Sequence, residues 1–349
     1  MRRLLIFLAA LPLGIVMLLS GLLGCGGGGG GAGATTATTV ATRSAADVIA
    51  ERAEKVLAST SSTGDYACNT ITAPVLAGKL ADPVQKDGIY LLDVRKQADY
   101  GGGHIEGATQ VDFSAWAAPV SLARLPRDKK IVVVSYTGNA AAQATGGLRM
   151  LGYDAAALKG GMDGWAKNQG QALVVQALSA TAYPVAMAPS PSGFLPAPSK
   201  FAFDQPSVSS YSVLAQKANI IAGGMQPAGD YANNTITAAR LSQKMAHPAQ
   251  QPFVLDIRQK SDFDKGHIEA AANIEFAAVT VPENLVQLPK NKKIVVVSYT
   301  GGTAAQAVTV LRMLGYDAAL LKYGMMSWNG SGKQDYLKYI QSANNPLAR

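Results

Sequence analysis

Two short stretches of this chain place hydroxyls, glycine and a helix start where a small anion could be held: Ser135-Tyr136-Thr137-Gly138-Asn139 and Ser298-Tyr299-Thr300-Gly301-Gly302. Each follows an apolar Ile-Val-Val-Val run and precedes a segment of helical character. A loop in that setting can converge backbone N–H groups at the positive end of a helix dipole, and Ser and Thr hydroxyls would add donors. Thiosulfate, sulfite, selenite, phosphate or sulfate would suit such a cradle. The bland alternative is a loop that folds back on itself, its amides spent on capping the helix. As nucleophiles the two serines are poor. A serine hydroxyl is almost wholly protonated near neutral pH and needs a positioned base, yet no His lies within or beside either loop in sequence.

The remaining reactive side chains read as structural. His104 and His267 sit in Gly-His-Ile-Glu segments and suit hydrogen-bonded turns better than base catalysis through space. Asp93, Arg95, Asp256 and Arg258 stand at the ends of apolar runs, as strand-end ion pairs would. The only thiols are Cys25 and Cys68. Cys68, near the start of an early helix and opposite Asn233 of a second copy, suits a small half-buried residue. No metal-ligand spacing and no Cys-x-x-Cys-His motif occurs, so neither a metal nor a cofactor is expected.

The elements that must position the loops come twice. Leu92-Asp93-Val94-Arg95, Gly103-His104-Ile105-Glu106, the run Ile131 to Gly138, and Leu151-Gly152-Tyr153-Asp154 recur in order as Leu255-Asp256-Ile257-Arg258, Gly266-His267-Ile268-Glu269, Ile294 to Gly301, and Leu314-Gly315-Tyr316-Asp317. Upstream, Gly64-Asp65-Tyr66 matches Gly229-Asp230-Tyr231 with a two-residue difference placed near Asp87. Periodic segments around Val48 to Leu57 and Val213 to Ile221 predict a helix before each copy. Leu91 to Val94, Ile131 to Val134 and Ala155 to Leu158 predict strands buried on both faces, and Ala140 to Leu151 a helix after the second. That alternation implies an α/β fold, with parallel strands and helices on both faces of each sheet. The expected organisation is domain 1 over 45–172, a Pro-rich linker over 173–207 and domain 2 over 208–349.

The start of the chain has a different character. Met1-Arg2-Arg3, the apolar stretch Leu4 to Leu23 and Leu22-Leu23-Gly24-Cys25 resemble a bacterial lipoprotein signal peptide over 1–24 with its lipobox, which implies lipidation at Cys25. An uncleaved membrane anchor is the alternative, weakened by Pro12, Gly14 and Gly21. Residues 25–44 are rich in Gly, Thr and Ala and read as a flexible tether. The absence of Asp after Cys25 implies, by the same resemblance, sorting to the outer membrane, facing either the periplasm or the cell surface. The formal charge of +8 shrinks when Arg2 and Arg3 depart. This mild basicity suits anionic lipid or acidic partners. Without a Lys/Arg cluster carrying interleaved aromatics, nucleic acid is a poor fit.

The motifs together resemble the rhodaneses. Leu91-Leu92-Asp93-Val94-Arg95 with Gly103-His104-Ile105 and Gly107-Ala108 is similar to the family's Asp-Val-Arg and Gly-His-Ile-x-Gly-Ala signature. Val132 to Val134, the loop and helix after it, and Gly160-Gly161-Met162 with Trp165 are similar to its active-site strand, loop and closing turn. Tyr323-Gly324-Met325 with Trp328 repeats the last of these. The resemblance implies two tandem rhodanese-like domains with Ser135 and Ser298 at the position of the sulfur-accepting Cys. Ala140 and Thr303 stand where the family often has Arg, which removes a charge that would favour anions. Three functions follow as expectations: a non-catalytic binding or scaffold module with an envelope protein partner; capture of an oxyanion for transport or respiration; and, least favoured, an active sulfurtransferase. Rhodanese-like lipoproteins also occur beside outer-membrane cytochrome conduits, which suggests an accessory role near such a conduit.

Overall fold

Ile131, Val132, Val133 and Val134 are all fully buried, and so are Ile294 to Val297 in the second copy. A strand that is apolar on both faces can only sit at the centre of a sheet with cover on each side. The computed structural model places them so. It describes residues 43–166, 171–178, 182–187, 204–342 and 344–348; the expected signal peptide, Cys25 and the tether up to Thr42 lie outside these residues.

The first sheet contains β1 (Thr70–Ile71), β2 (Ile89–Asp93), β3 (Thr109–Gln110), β4 (Lys130–Val134) and β5 (Ala155–Leu158), ordered β1-β5-β4-β2-β3. The second contains β6 (Thr235–Ile236), β7 (Phe253–Asp256), β8 (Ala272–Asn273), β9 (Ile294–Val297) and β10 (Ala318–Leu321), ordered β6-β10-β9-β7-β8. Every pairing is parallel. The copies are thus two α/β units of one topology. The two-residue difference between them falls where the first has a helix, Pro83–Asp87, and the second a 3₁₀ turn, Pro248–Gln250.

Strand alternation assigns the faces. Leu92, Ile131, Val133, Ala155 and Ala157 of the first sheet share one core with Leu255, Ile294, Val296, Ala318 and Leu320 of the second. The intervening residues Leu91, Val132, Val134 and Leu158, and their counterparts Val254, Val295, Val297 and Leu321, fill separate outer cores. The central layer holds the helices Asn139–Met150 and Gly302–Met313, packed together so closely that a Cβ on Gly146 would lie 2.8 Å from the carbonyl oxygen of Gln306.

The ends of each copy cross to the other. The 183–186 segment lies on the second unit: Tyr183 N–H donates to Trp328 O, Trp328 Nε1 donates to Pro184 O, and Ala186 bridges His267. The 345–348 segment repeats these contacts on the first unit: Asn345 N–H donates to Trp165 O, Trp165 Nε1 to Pro346 O, and Ala348 bridges His104. The expected linker over 173–207 therefore begins inside a helix, Gln171–Leu178, whose Val174 and Leu178 pack against Tyr323, Met326, Tyr336 and Ile340. Apolar burial overrides the extended reading there.

Candidate functional site

β4 and β9 end abruptly at the two serine loops. Gly138 (φ 89°) and Gly301 (φ 92°) adopt the left-handed conformation that turns each chain into its helix, a conformation glycine enters without steric cost. Ser135 and Ser298 are each 1% exposed. The Ser135 hydroxyl oxygen accepts from the N–H groups of Gly138 and Ala141, both at 3.1 Å. The Ser298 hydroxyl oxygen accepts from Gly301 at 3.1 Å and from Ala304 at 3.3 Å. In each loop the amides at the helix start thus converge on the serine oxygen.

Further contacts fix each loop. Met162 and Asp163 donate their N–H groups to Ser135 O and Tyr136 O, and Met325 and Met326 do the same for Ser298 O and Tyr299 O. Gly161 and Gly324 in these closing turns cannot carry side chains, since a Cβ would lie 2.2 Å from Ser135 O and 2.0 Å from Ser298 O. The tyrosines reach outward: Tyr136 donates to Asp99 at 2.5 Å and Tyr299 to Asp262 at 2.7 Å. Burial, then the neighbouring carboxylate, raises both phenols, that of Tyr299 to about 12.

The Asp/Arg and His residues act as braces. Arg95 Nη2 donates to Asp93 at 2.7 Å and to Gly103 O at 2.9 Å; Arg258 Nη2 donates to Asp256 at 2.7 Å and Gly266 O at 2.8 Å. His104 stacks on Tyr100 with centroids 3.8 Å apart, and His267 on Phe263 at 3.7 Å. Their Nδ1 atoms pair with the backbone carbonyls of Tyr100 and Phe263. These groups are engaged in tying the strand ends to the following turns.

Between the two units the loops meet around one cavity of about 280 Å³, lined in part by Thr137, Gly138 and Asn139 of the first loop and Tyr299, Thr300 and Gly302 of the second. Ser135, Ser298, Tyr136 and Gly301 do not line it. Lys159, Thr303 and Cys68 do, although the sequence motifs did not single out Lys159 or group the three together. Cys68 lies in a 3₁₀ turn, Ala67–Asn69, shortly before the helix Ala73–Ala81, with left-handed φ of 53°, matched by Asn233 at 50°. Burial pushes its thiol above the ordinary value, and Lys159 offsets only part of that. Among the described residues no cluster of His, Cys, Asp and Glu could hold a metal.

A second buried group lies behind the first loop. Asp163 is fully buried, and desolvation raises its carboxyl to about 7 against the opposing pull of Lys322 from the other unit. Burial lowers the Lys322 ammonium in turn, with Asp163 counteracting it.

Comparisons with known proteins agree on the family. The Rhodanese-like domain model matches residues 76–168 and again 237–331, together more than half of the chain. The thiosulfate sulfurtransferase GlpE of Pseudomonas fluorescens is 34% identical over 86 residues, covering 24% of this chain and 77% of that protein. A sulfurtransferase of Allochromatium vinosum is 29% identical over 101 residues, covering 29% of this chain and 90% of its own. The probable adenylyltransferase/sulfurtransferase MoeZ of Mycobacterium tuberculosis is 35% identical over 79 residues, 22% of this chain, and the chain spans only 20% of its length. Among solved structures, the thiosulfate sulfurtransferase of Pseudomonas aeruginosa covers 86% of this chain and 50% of its own at 16% identity and a TM-score of 0.28. A rhodanese-like domain protein of Staphylococcus aureus covers 27% of this chain and 90% of its own at 27% identity and a TM-score of 0.25. With the family model matching twice, in register with the duplicated loops, the chain belongs to the rhodanese-like domain family and carries two such domains in tandem.

Proposed function

We propose that this protein is a non-catalytic rhodanese-like binding module, in which Ser135 and Ser298 stand where the family carries its sulfur-accepting cysteine. One observation carries the reading: each serine hydroxyl is buried and accepts two amides of its own loop. Those are the donors that would hold an anionic persulfide on a cysteine. A hydroxyl in that place carries no thiolate and cannot store sulfane sulfur. The sulfurtransferase names of the relatives argue the other way, and assay decides. The mature protein is expected to form no thiocyanate from thiosulfate and cyanide beyond a Cys68→Ala variant. Turnover that disappears in Cys68→Ala, with a persulfide found on Cys68, would overturn the reading.

The setting proposed for this module is the outer membrane, held by a lipid on Cys25 with the tether to Thr42 spacing the folded body from the bilayer and an envelope protein as partner. Support comes from the signal-like start and the Gly-rich segment after it. Metabolic labelling with a fatty acid tests it: wild type takes up label and Cys25→Ser does not. An unlabelled wild-type chain would refute the anchor.

A further inference from the structure

Two apolar grooves lie side by side on one face, with Val213 and Gln216 of the helix Val208–Gly223 in the wall of both. The first, about 810 Å³, has Leu122, Leu125, Tyr153 and Tyr211 in its lining; the second, about 470 Å³, has Ile49, Leu285, Met313 and Tyr316. They occupy the same place in the two repeats. Leu122, Arg127 and Tyr153 of the first groove correspond to Leu285, Lys290 and Tyr316 of the second, all at an offset of 163 (285−122, 290−127 and 316−153). Aliphatic side chains stand out around them. Ile220, in the lining of the second groove, is 60% exposed, and Val286, next to Leu285, is 80% exposed. Apolar surface gathered in this way, with polar groups at its rim, marks a place where something else binds.

Two observations identify the occupant. The charge on the grooves has one sign: Arg127 in the first, Lys217 and Lys290 in the second, and no carboxylate among the described residues that line them. The acids of the adjoining segments, Asp47, Glu51, Glu54, Asp128 and Glu283, line neither groove. Arg127 lies 3.8 Å from the ring centre of Tyr153 and Lys290 5.8 Å from that of Tyr316, so each cation sits beside apolar surface, as at the boundary between lipid headgroups and acyl chains. The second observation is where the folded body begins. Its first described residue is Arg43, and Ala45 and Ala46 line the second groove. Cys25 precedes Arg43 by 18 residues (43−25), so the chain from the proposed anchor joins the body at the edge of this face. We propose that the face rests on the acidic phospholipid surface of a bilayer, with Arg127, Lys217 and Lys290 at headgroup phosphates and Ile220 and Val286 dipping into the headgroup layer. An orientation follows. Arg127 precedes β4 and Lys290 precedes β9, whereas Ser135 and Ser298 follow the opposite ends of those strands, so both serine loops face away from the membrane. The inference deepens the proposed membrane setting and rests on it for the choice of lipid as occupant; its test uses a chain without lipid on Cys25, so that anchor and face can fail separately.

Co-sedimentation of the mature chain carrying Cys25→Ser with vesicles provides the test, phosphatidylethanolamine with about 30% phosphatidylglycerol against phosphatidylcholine alone. Partition onto the acidic vesicles is expected to exceed that onto the neutral ones by about tenfold or more, and to fall as salt rises. Replacing Arg127, Lys217 and Lys290 together by Gln is expected to weaken it by about tenfold or more. Replacing Lys260, Lys265 and Lys338 by Gln makes the same change in net charge at exposed positions outside the grooves, and leaves partition within about twofold of the parent. Ile220→Ser with Val286→Ser, both at exposed positions, is expected to weaken it several-fold. If the variant lacking Arg127 fails to fold by circular dichroism, Lys217→Gln with Lys290→Gln decides. Equal partition onto both kinds of vesicle, equal loss in the two triple variants, or no partition at about 5 mM lipid would overturn the proposal. So would a concentration-dependent dimer that Ile220→Ser with Val286→Ser dissolves, which would give the face to a second copy of the chain. Vesicle binding without fatty-acid labelling of Cys25 in the wild type would remove the anchor and leave the face; labelling without vesicle binding would do the reverse.

Discussion

Asn69 of the first repeat donates through Nδ2 to Oε1 of Gln306 in the second, at 2.8 Å, and Asn234 of the second donates in the same way to Gln143 of the first, at 3.2 Å. Each glutamine returns a bond to the neighbouring carbonyl, Gln306 to Cys68 O and Gln143 to Asn233 O. The repeats are therefore joined by two reciprocal polar clasps, set in a layer where both glutamines are buried. Together with the common core on the inner faces of the sheets, the clasps make the two repeats one mechanical body.

Gln306→Leu tests that coupling. It keeps the volume but strips Asn69 and Cys68 O of a buried partner, which costs about 1–3 kcal/mol and a few degrees in melting temperature. Calorimetry is expected to show one transition in wild type and variant alike, because neither repeat keeps its core when the other unfolds. Two resolved transitions would contradict a shared core.

Much of this arrangement was legible in the sequence and part was not, for a physical reason. The strands at Ile131–Val134 and Ala155–Leu158 announce themselves because burial on both faces demands unbroken apolar runs. The loops follow from a strand, a Gly and a helix in fixed order. The crossing of the chain ends did not show. Tyr183 to Ala186 and Asn345 to Ala348 have no periodicity, and what fixes them is a Trp indole and a His backbone far away in sequence. Nor did Lys159 stand out beside the loops, since it follows β5 and reaches the cavity only once the sheet is built.

Glycine substitutions separate backbone strain from the loop's need for space. Gly64 and Gly161 both have positive φ, 84° and 56°, but a Cβ on Gly64 meets nothing within 4 Å. Gly64→Ala is expected to cost about 1–2 kcal/mol from conformation alone. A Cβ on Gly161 would lie 2.2 Å from Ser135 O and 2.7 Å from Gly138 N, so Gly161→Ala must push the serine loop out of place. Its expected cost exceeds about 3 kcal/mol by chemical denaturation. Equal midpoints for the two variants would show that the closing turn does not hold the loop.

Asp163 makes stability depend on pH in a direction opposite to most carboxylates. Its folded value of about 7 lies above the ordinary 3.8 of an aspartate, so between those limits the folded state binds more protons than the unfolded one. Stability contributed by the neutral acid is complete below about pH 4 and lost as pH rises through about 7. Asp163→Asn, which keeps shape and removes the titration, should flatten that decline and melt higher than wild type at pH 8. Lys322, Tyr323 and Tyr336 are the titratable groups that sense the charge of Asp163. A wild-type melting temperature that instead rises from pH 5 to pH 7, with Asp163→Asn following the same curve, would place the titration elsewhere.

Ser135→Cys asks whether the first loop still stabilises an anion. In a Cys25→Ala background the parent has only Cys68, whose burial sets its titration on the alkaline side of an ordinary thiol. A sulfur at position 135 would instead receive the N–H groups of Gly138 and Ala141 that now reach the Ser135 oxygen at 3.1 Å, at the start of a helix. Thiols in such surroundings titrate at roughly 3.5–7.5, against about 8.5 for a free one. Ultraviolet thiolate absorbance should therefore gain a step below about pH 7.5 that the parent lacks, and this readout needs no reagent to enter the buried loop. The variant should also begin to accept sulfane sulfur from thiosulfate, releasing sulfite as a persulfide forms on the new thiol. If the added thiol titrates together with Cys68 on the alkaline side, the amides no longer stabilise negative charge. The serine would then be a structural plug rather than the remnant of a sulfur site.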